Sequence, residues 1–364
     1  MRAIILAGGR GTRLNPLTQS LPKPLVPVFD RPLIFHQIDW LRANGVTEIV
    51  VSVGYLADRL LEALAIPVPG VRLRIVREEE PLGTAGAVAF ALQGMRGSEP
   101  VLVIPGDALS DINLQSFYDA FSTAEEPMAL IIHEVADPRG FGVVTTDGEG
   151  RVTAFLEKPA GYQGRGLVNT GIYAVRPESL AWDGARPRDF AYDVFPELVA
   201  CRALRAYRAA GYWSDLGTLA QYRQAHFDVL DGVMDLPAAR HRAASVKLAP
   251  SVRIVPPVWL GDQVVIEAEA TVGPYAVIGS GSRLGPWTKV SHAILGRQVV
   301  LGAETRVEGA VVADDVMTQG PCRIAQDAAV GRAARLYWGS RVGAGERVPE
   351  RYRVLAERHP AQGA

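Results

Sequence analysis

The chain has 364 residues, 48% of them hydrophobic and 21% charged, an ordinary globular composition with room for two cores. Its 38 basic and 39 acidic residues nearly cancel, so no overall field favours nucleic acid or an anionic membrane, and any anion must be held by a local site. Two distant cysteines, Cys201 and Cys322, and six histidines with no i, i+4 pair exclude a disulfide framework, a CxxC centre and a zincin-type metal site. The opening run Arg2–Ala7 is cut by Gly8, Gly9 and Arg10 too early for a signal peptide, and no apolar span is long enough to cross a bilayer. The expectation is a soluble cytoplasmic protein. The basic residues are almost all arginine. The only lysines are Lys23, Lys158, Lys247 and Lys289, so each raises the question of whether a compact point charge is needed there.

In chain order, Arg2–Ala7, Glu48–Val53, Val71–Val76 and Val101–Ile104 are short apolar runs that read as buried strands. Between the first two, a helix opens at Pro32, directs Leu33, Ile34, Ile38 and Leu41 inward, and stops at Gly45. Strand, helix, strand at this spacing predicts a parallel α/β sheet covered on both faces. Phe141–Thr145 and Arg151–Leu156 flank Asp147-Gly148-Glu149-Gly150 as a hairpin, and Thr218 with Gln221 forms a capping box that opens a helix through Leu230.

After Gly232 the pattern changes. Residues 232–245, rich in Pro, Ala and Arg, read as a linker. Apolar residues then recur every sixth position at Leu260, Ile266, Val272, Ile278, Leu284 and Val290. The count slips by one, resumes at Leu295, Leu301 and Val307, and returns at Ile324, Val330, Leu336 and Val342. Glycine follows many of them. A six-residue period fits neither a helix nor a hairpin meander. It fits a β-solenoid over 246–345 that resembles the hexapeptide-repeat left-handed β-helix, with 346–364 as a charged tail. Such solenoids serve as acyltransferase bodies or as oligomerising platforms, so fold alone leaves this part's function open.

The first strand runs into Leu6-Ala-Gly-Gly-Arg-Gly-Thr-Arg13-Leu14, followed by Pro22-Lys23-Pro24. Glycines at 8, 9 and 11 let backbone N–H groups turn toward an anion, and Arg13 and Lys23 add full positive charge. It is neither a P-loop, since no Gly-Lys-Ser/Thr follows, nor a Rossmann fingerprint, since Gly-x-Gly-x-x-Gly fails at Leu14.

The string G-G-R-G-T-R-L-N-P-L-T…P-K-P-L-V-P-V resembles the signature of the sugar-phosphate nucleotidyltransferases, or nucleotide-sugar pyrophosphorylases. The similarity continues over 1–231 through G-Y-L-A-D (54–58), E-E-E-P-L-G-T-A-G-A (78–87), P-G-D (105–107), F-G-V-V (141–144), F-L-E-K-P (155–159), V-N-T-G-I-Y (168–173) and G-Y-W-S-D-L-G (211–217). Pairing with a hexapeptide β-helix is most like the mannose-1-phosphate guanylyltransferases. The resemblance implies a Rossmann-like, mixed and mainly parallel α/β catalytic domain at 1–231, followed by the left-handed parallel β-helix.

The reaction implied is attack of a sugar 1-phosphate oxygen on the α-phosphorus of a nucleoside triphosphate, expelling pyrophosphate. The nucleophile is already an anion, so no catalytic base is required, and the sequence carries no nucleophile–base motif. Repulsion between polyanions is the obstacle, which cations and a divalent metal relieve. Asp107 lies just past a strand, where open α/β sheets bind ligands, and Asp215 precedes the capped helix. By resemblance the two hold Mg2+, a hard cation suited to carboxylate and phosphate. Arg13, Lys23 and Lys158 are the implied catalytic cations: Arg13 and Lys23 on the triphosphate, and Lys158 on the sugar phosphate. Leu6, Ala7, Gly8, Gly9, Gly11, Thr12, Arg13, Glu80, Gly83, Thr84 and Asp107 are the implied nucleotide site. Gly142, Glu157, Lys158, Asn169 and Thr170 are the implied sugar-phosphate site. Trp213 and Tyr173 either wall the sugar or pack in the core.

Guanine offers two neighbouring donors that suit a carboxylate, whereas uracil and thymine suit an amide. The acids Glu78, Glu79 and Glu80 therefore favour GTP with mannose 1-phosphate as partner, against readout of the base by backbone groups. Glucose-1-phosphate thymidylyl- or uridylyltransfer is the nearer alternative. Two others are a bifunctional enzyme whose β-helix transfers acyl groups through His292, and a non-catalytic regulatory homologue. Self-association through the β-helix is expected, and neither nucleic acid nor membrane is an expected partner.

Overall fold

The computed structural model describes residues 1–356 except Ala181, Asp183, Ala185, His241 and Arg242. Residues 241 and 242 of the expected linker, and 357–364 of the expected tail, lie outside the described residues. The chain divides into two compact units. One comprises Met1–Arg10, Pro22–Pro24 and Ile34–Asp215; the other comprises Gly11–Leu21, Leu25–Leu33 and everything from Leu216 onward. Among the described residues no helix is long and apolar enough to cross a membrane.

The first unit is built on a nine-stranded mixed sheet. Its strands are β1 (Arg2–Ala7), β2 (Glu48–Val53), β3 (Arg72–Arg77), β4 (Val101–Pro105), β6 (Met128–Val135), β7 (Gly142–Thr146), β8 (Val152–Glu157), β9 (Gly166–Val175) and β10 (Leu204–Arg208). A separate ladder pairs β5 (Ala108–Ser110) with β11 (Trp213–Asp215). The order is β8-β7-β9-β4-β1-β2-β3, with β6 beside β9 and β10 beside β6. The run β4-β1-β2-β3 is parallel. Its strands read as continuous apolar runs because both faces are covered: Ile4, Val50, Val101 and Val103 are fully buried in one core. Helix α1 (Leu33–Ala43) buries Leu33, Ile34, Ile38 and Leu41, as its spacing predicts, and Gly45 beyond its end has φ +81°. The expected hairpin forms as antiparallel β7–β8. Helix α2 (Gly83–Leu92) packs against β1 and β2 and is apolar almost all round, because most of its surface is buried.

The second unit is three parallel sheets of seven, six and six short strands, stacked coil on coil from Lys247–Leu248 to Arg353–Val354, the arrangement of a left-handed β-helix. The inward column predicted from the six-residue period is its core: Ile266, Val272, Ile278, Leu284, Val290, Leu295, Leu301, Val307, Ile324, Val330, Leu336 and Val342 are all buried together. Between Val307 and Ile324 the inward slots are filled by Val312 and Thr318. Thr318 escapes an apolar pattern because it is polar; its hydroxyl is satisfied inside by Gly302 N–H and Thr305 Oγ1. The coils continue past 345, where a tail was expected, through Arg347–Val348 and Arg353–Val354. Val348, six residues after Val342, still plugs the column, and Val354 packs against it six residues later.

Helix α3 (Leu219–Leu230), opened by the Thr218 cap on Gln221 N–H as expected, belongs to this second unit rather than to the sheet domain. Phe227 packs on Tyr275 and His292, Arg223 pairs with Asp327, and Tyr222 Oη donates to Pro27 O. One face of the β-helix is also apolar outside the inward column: Val277, Ile294 and Val311 are buried without belonging to that core.

Candidate active site

The parallel strands β4 and β1 end side by side, with Leu6 opposite Pro105. The chain that leaves β4 must pass close over β1: Gly106 N–H donates to Leu6 O at 2.9 Å, and a Cβ on Gly106 would lie 2.5 Å from that oxygen. Only glycine fits, and Asp107 follows it at the mouth of a cavity of about 380 Å³. The cavity is lined by Leu6, Ala7, Gly8 and Gly9 from the end of β1, by Gly83 and Thr84 opening α2, and by Lys23, Glu78, Asp107 and Asp189. Its location outside the carboxyl ends of parallel strands is where open α/β sheets bind ligands.

Lys23 Nζ lies 2.6 Å from Asp107 Oδ2, with the lysine side chain 10% exposed and the aspartate 31%. A sparsely used lysine is thus nearly buried at the cavity wall, where its charge is weakly screened. Asp215 ends β11 directly opposite Ala108, the neighbour of Asp107. The antiparallel ladder β5–β11 therefore brings to one end the two carboxylates that the sequence placed 108 positions apart. The loop is fastened from below by Gln37 of α1, 2% exposed, whose Nε2 donates to Pro105 O and Ala108 O, both at 2.8 Å. Gln37 Oε1 is buried without a partner.

The residues expected at the sugar phosphate form a second cluster on β7, β8 and β9. Glu157 lies opposite Gly142, and its carboxylate holds Lys158 Nζ at 2.7 Å. A Cβ at Gly142 would stand 2.4 Å from Phe155 Cζ and 3.0 Å from Glu157 Oε2, so glycine is what admits this glutamate. Asn169 sits at the bulge of β9, donating to Tyr173 Oη and accepting from Gly171 N–H, both at 2.9 Å. Thr170 is buried, and its hydroxyl donates to Ile131 O, so its side chain is committed to the strand pair. The cluster is tied to the Asp107 loop by Trp213 Nε1, which donates to Thr170 O, and by Gly171, which abuts Pro105. Trp213 and Tyr173 are core residues: Trp213 packs on Phe141 and His133, and Tyr173 on Phe190 and Phe195, where burial pushes its phenol pKa well up.

Gly11, Thr12 and Arg13 belong to the second unit. Arg13 is exposed on the 3-10 turn Thr12–Leu14, and among the described residues no carboxylate is paired with it. Its segment is held by the last coils of the β-helix: Arg347 donates to Asn15 O, Glu350 N–H donates to Gln19 Oε1 at 2.8 Å, and Ser20 N–H donates to Glu350 Oε1 at 3.2 Å. His292 packs on Tyr275 and Phe227.

Glu80 is exposed and does not line the cavity; the acid that does is Glu78. Its Oε1 accepts from Ser52 Oγ at 2.8 Å and its Oε2 from Leu82 N–H at 3.3 Å. Asp189 was not visible in the sequence as a cavity residue. It arrives from a distant loop and accepts from Thr84 Oγ1 at 2.8 Å. No signal in the sequence singles out Gln37 either, since a glutamine on a helix reads as surface.

A family model described as nucleotidyl transferase matches residues 2–232. Mannose-1-phosphate guanylyltransferase 1 of Arabidopsis thaliana is 31% identical over 87% of this chain and 92% of its own length. The mannose-1-phosphate guanylyltransferase of Mycobacterium tuberculosis is 31% identical over 88% of this chain and 82% of its own. The crystal structure of HddC from Yersinia pseudotuberculosis complexed with GMP-PN is 27% identical and covers 63% of this chain and 99% of that one, at a TM-score of 0.54.

Proposed function

The chain belongs to the nucleotidyl transferase family, and on that premise we propose that it joins GTP and mannose 1-phosphate to give GDP-mannose and pyrophosphate, with Mg2+ as cofactor. The observation that carries the reading is the Lys23–Asp107 pair at the mouth of a glycine-lined cavity. It supplies a cation and a carboxylate where a triphosphate needs one of each.

In this reading a phosphate oxygen of mannose 1-phosphate attacks the α-phosphorus of GTP, the bond to the bridging oxygen breaks, and pyrophosphate leaves with the electron pair. No proton has to be removed, so the side chains position and neutralise. Gly8 and Gly9 offer backbone N–H groups to the triphosphate, Lys23 offsets its charge, and Lys158 meets the sugar phosphate while Glu157 accepts from sugar hydroxyls. Asp107 and Asp215 fit Mg2+ by their chemistry: two hard carboxylates, one with an oxygen that Lys23 does not engage, leaving the remaining coordination to phosphate and water. Bound there, Mg2+ would draw charge from the α-phosphoryl and pyrophosphate oxygens. Glu78 is the carboxylate suited to the two donors of guanine, N1–H and N2–H. The guanylyltransferase names of the relatives and the GMP-PN complex of HddC support the same base.

The test is a panel of GTP, dTTP and UTP against mannose 1-phosphate and glucose 1-phosphate, read by pyrophosphate release. GTP with mannose 1-phosphate is expected to be fastest. Activity with dTTP or UTP alone would overturn the guanine reading in favour of thymidylyl- or uridylyltransfer.

A further inference from the structure

The β-helix places its charged residues in register, because each coil stacks on the one before it. Three of its arginines follow a pairing rule. Arg283 meets Glu267, Arg297 meets Asp314 and Arg332 meets Asp315, each a carboxylate one coil away. On the second sheet the rule breaks. Arg306 lies opposite Arg323, and Arg323 opposite Arg341, with Lys289 opposite Arg306 below them. All four are exposed, and adjacent strands stand about 4.7–4.9 Å apart. Among the described residues no carboxylate forms an ion pair with any of them. Like charges directly opposite on a ladder are destabilising.

These cations also frame a concavity. Arg306, Arg323 and Arg341 line a cavity of about 240 Å³ together with Glu304 and the backbone turn at Gly339. Three guanidiniums against one carboxylate leave two net positive charges around a space the size of a small anion. Glu308 is the acid on the strand of Arg306, and it lies opposite Ser291 rather than an arginine. No acid lies within three residues of Arg323 or Arg341 in sequence, and among the described residues neither is in an ion pair, so their planar forks can take an oxyanion.

We propose that the Arg306–Arg323–Arg341 ladder of the β-helix is a binding site for a phosphate dianion, supplied as inorganic phosphate or as a small phosphomonoester. The site lies wholly within the second unit and does not depend on the nucleotidyl-transfer reading. The anion turns three mutually repelling charges into ligands; Arg335 and Arg353 also lie opposite one another, but there the Arg335 guanidinium donates to the backbone carbonyl of Asp315.

The experiment titrates the full chain by calorimetry with inorganic phosphate and, separately, with glycerol 3-phosphate. The same titrations follow on the double variant Arg323→Ala/Arg341→Ala and on a control, Arg297→Ala/Arg332→Ala, that removes two paired arginines of the same β-helix. The ladder variant is expected to bind about tenfold more weakly or not at all at one site, with the control unchanged. Tighter binding of one anion over the other identifies the source, and either order supports the site. Phosphate should also raise the unfolding temperature of the wild type and not of the ladder variant, whose unfolding temperature in phosphate-free buffer should equal or exceed that of the wild type. Unchanged phosphate binding in the ladder variant, an equal loss in the control, or a lower phosphate-free unfolding temperature would overturn the proposal.

Discussion

Replacing Gln37 by leucine tests whether the Asp107 loop is held from α1. The two side chains are close in volume, so the change removes hydrogen bonds with little change in packing. Two bonds of 2.8 Å to backbone carbonyls are lost at a side chain that is 2% exposed. At about 0.5–1.5 kcal/mol net for each bond the loss is about 1–3 kcal/mol. The unpartnered Oε1 disappears in the same step, which returns about 1 kcal/mol. The balance is a destabilisation of up to about 2 kcal/mol, a fall of up to roughly 8 °C in unfolding temperature for a domain of this size. Gln37→Glu should cost more, because a carboxylate would face two carbonyl oxygens in place of a donor. Both variants should lower kcat more than they raise KM for either substrate, since the loop carries Asp107 and not the backbone after β1 that is proposed to meet the triphosphate. Differential scanning calorimetry with steady-state pyrophosphate release reads both effects. A Gln37→Leu enzyme with wild-type unfolding temperature and wild-type kcat would refute the reasoning.

Lys23→Met should leave the fold intact and reduce kcat by about 100-fold, because the cation at the cavity mouth is lost while the space is filled; full activity would remove Lys23 from the phosphate site. Gly142→Ala forces Phe155 and Glu157 apart, so it should cost about 1–3 kcal/mol and raise KM for the sugar phosphate, read by thermal unfolding and substrate titration. For Glu126, burial raises the carboxyl pKa, but hydrogen bonds with its own backbone N–H and Arg205, with the charges of Arg205 and Arg151, outweigh it and hold the group below its ordinary 4.5. A depressed folded-state pKa adds stability above 4.5 that is lost as pH falls toward the lowered value. Glu126→Gln should therefore be less stable near neutrality by about 1 kcal/mol, and its stability should change less on acidification below 4.5 than that of the wild type.

Much of this was legible in the residues because periodicity reports which face of an element is buried. The four inward residues of α1, the strands β1 and β2 and the column from Ile266 to Val342 all follow from spacing alone. What stayed hidden depends on which distant segment arrives beside which. Glu79 and Glu80 look as good as Glu78 in sequence, and only the bonds of Glu78 to Val53 O through its N–H, and to Ser52 Oγ, turn that one carboxylate into the cavity. Asp189 and Gln37 are set by tertiary packing of loop and helix, which no local pattern encodes. The arginine ladder is a further case: residues 306, 323 and 341 are 17 and 18 positions apart, and they meet only once the coils stack. Helix α3 closes the span that the family model matches, and its cap and length, being local, do not reveal that Phe227 and Arg223 reach Tyr275, His292 and Asp327 of the β-helix.

A crystal structure of the full chain grown with GDP-mannose and Mg2+ tests the proposed reaction and its site together. The expected density puts the diphosphate against Gly8 and Gly9, the base beside Glu78, the sugar beside Glu157 and Lys158, and the metal on Asp107 and Asp215. A nucleotide sugar bound away from the Lys23–Asp107 cavity, or a metal held by neither aspartate, would contradict it.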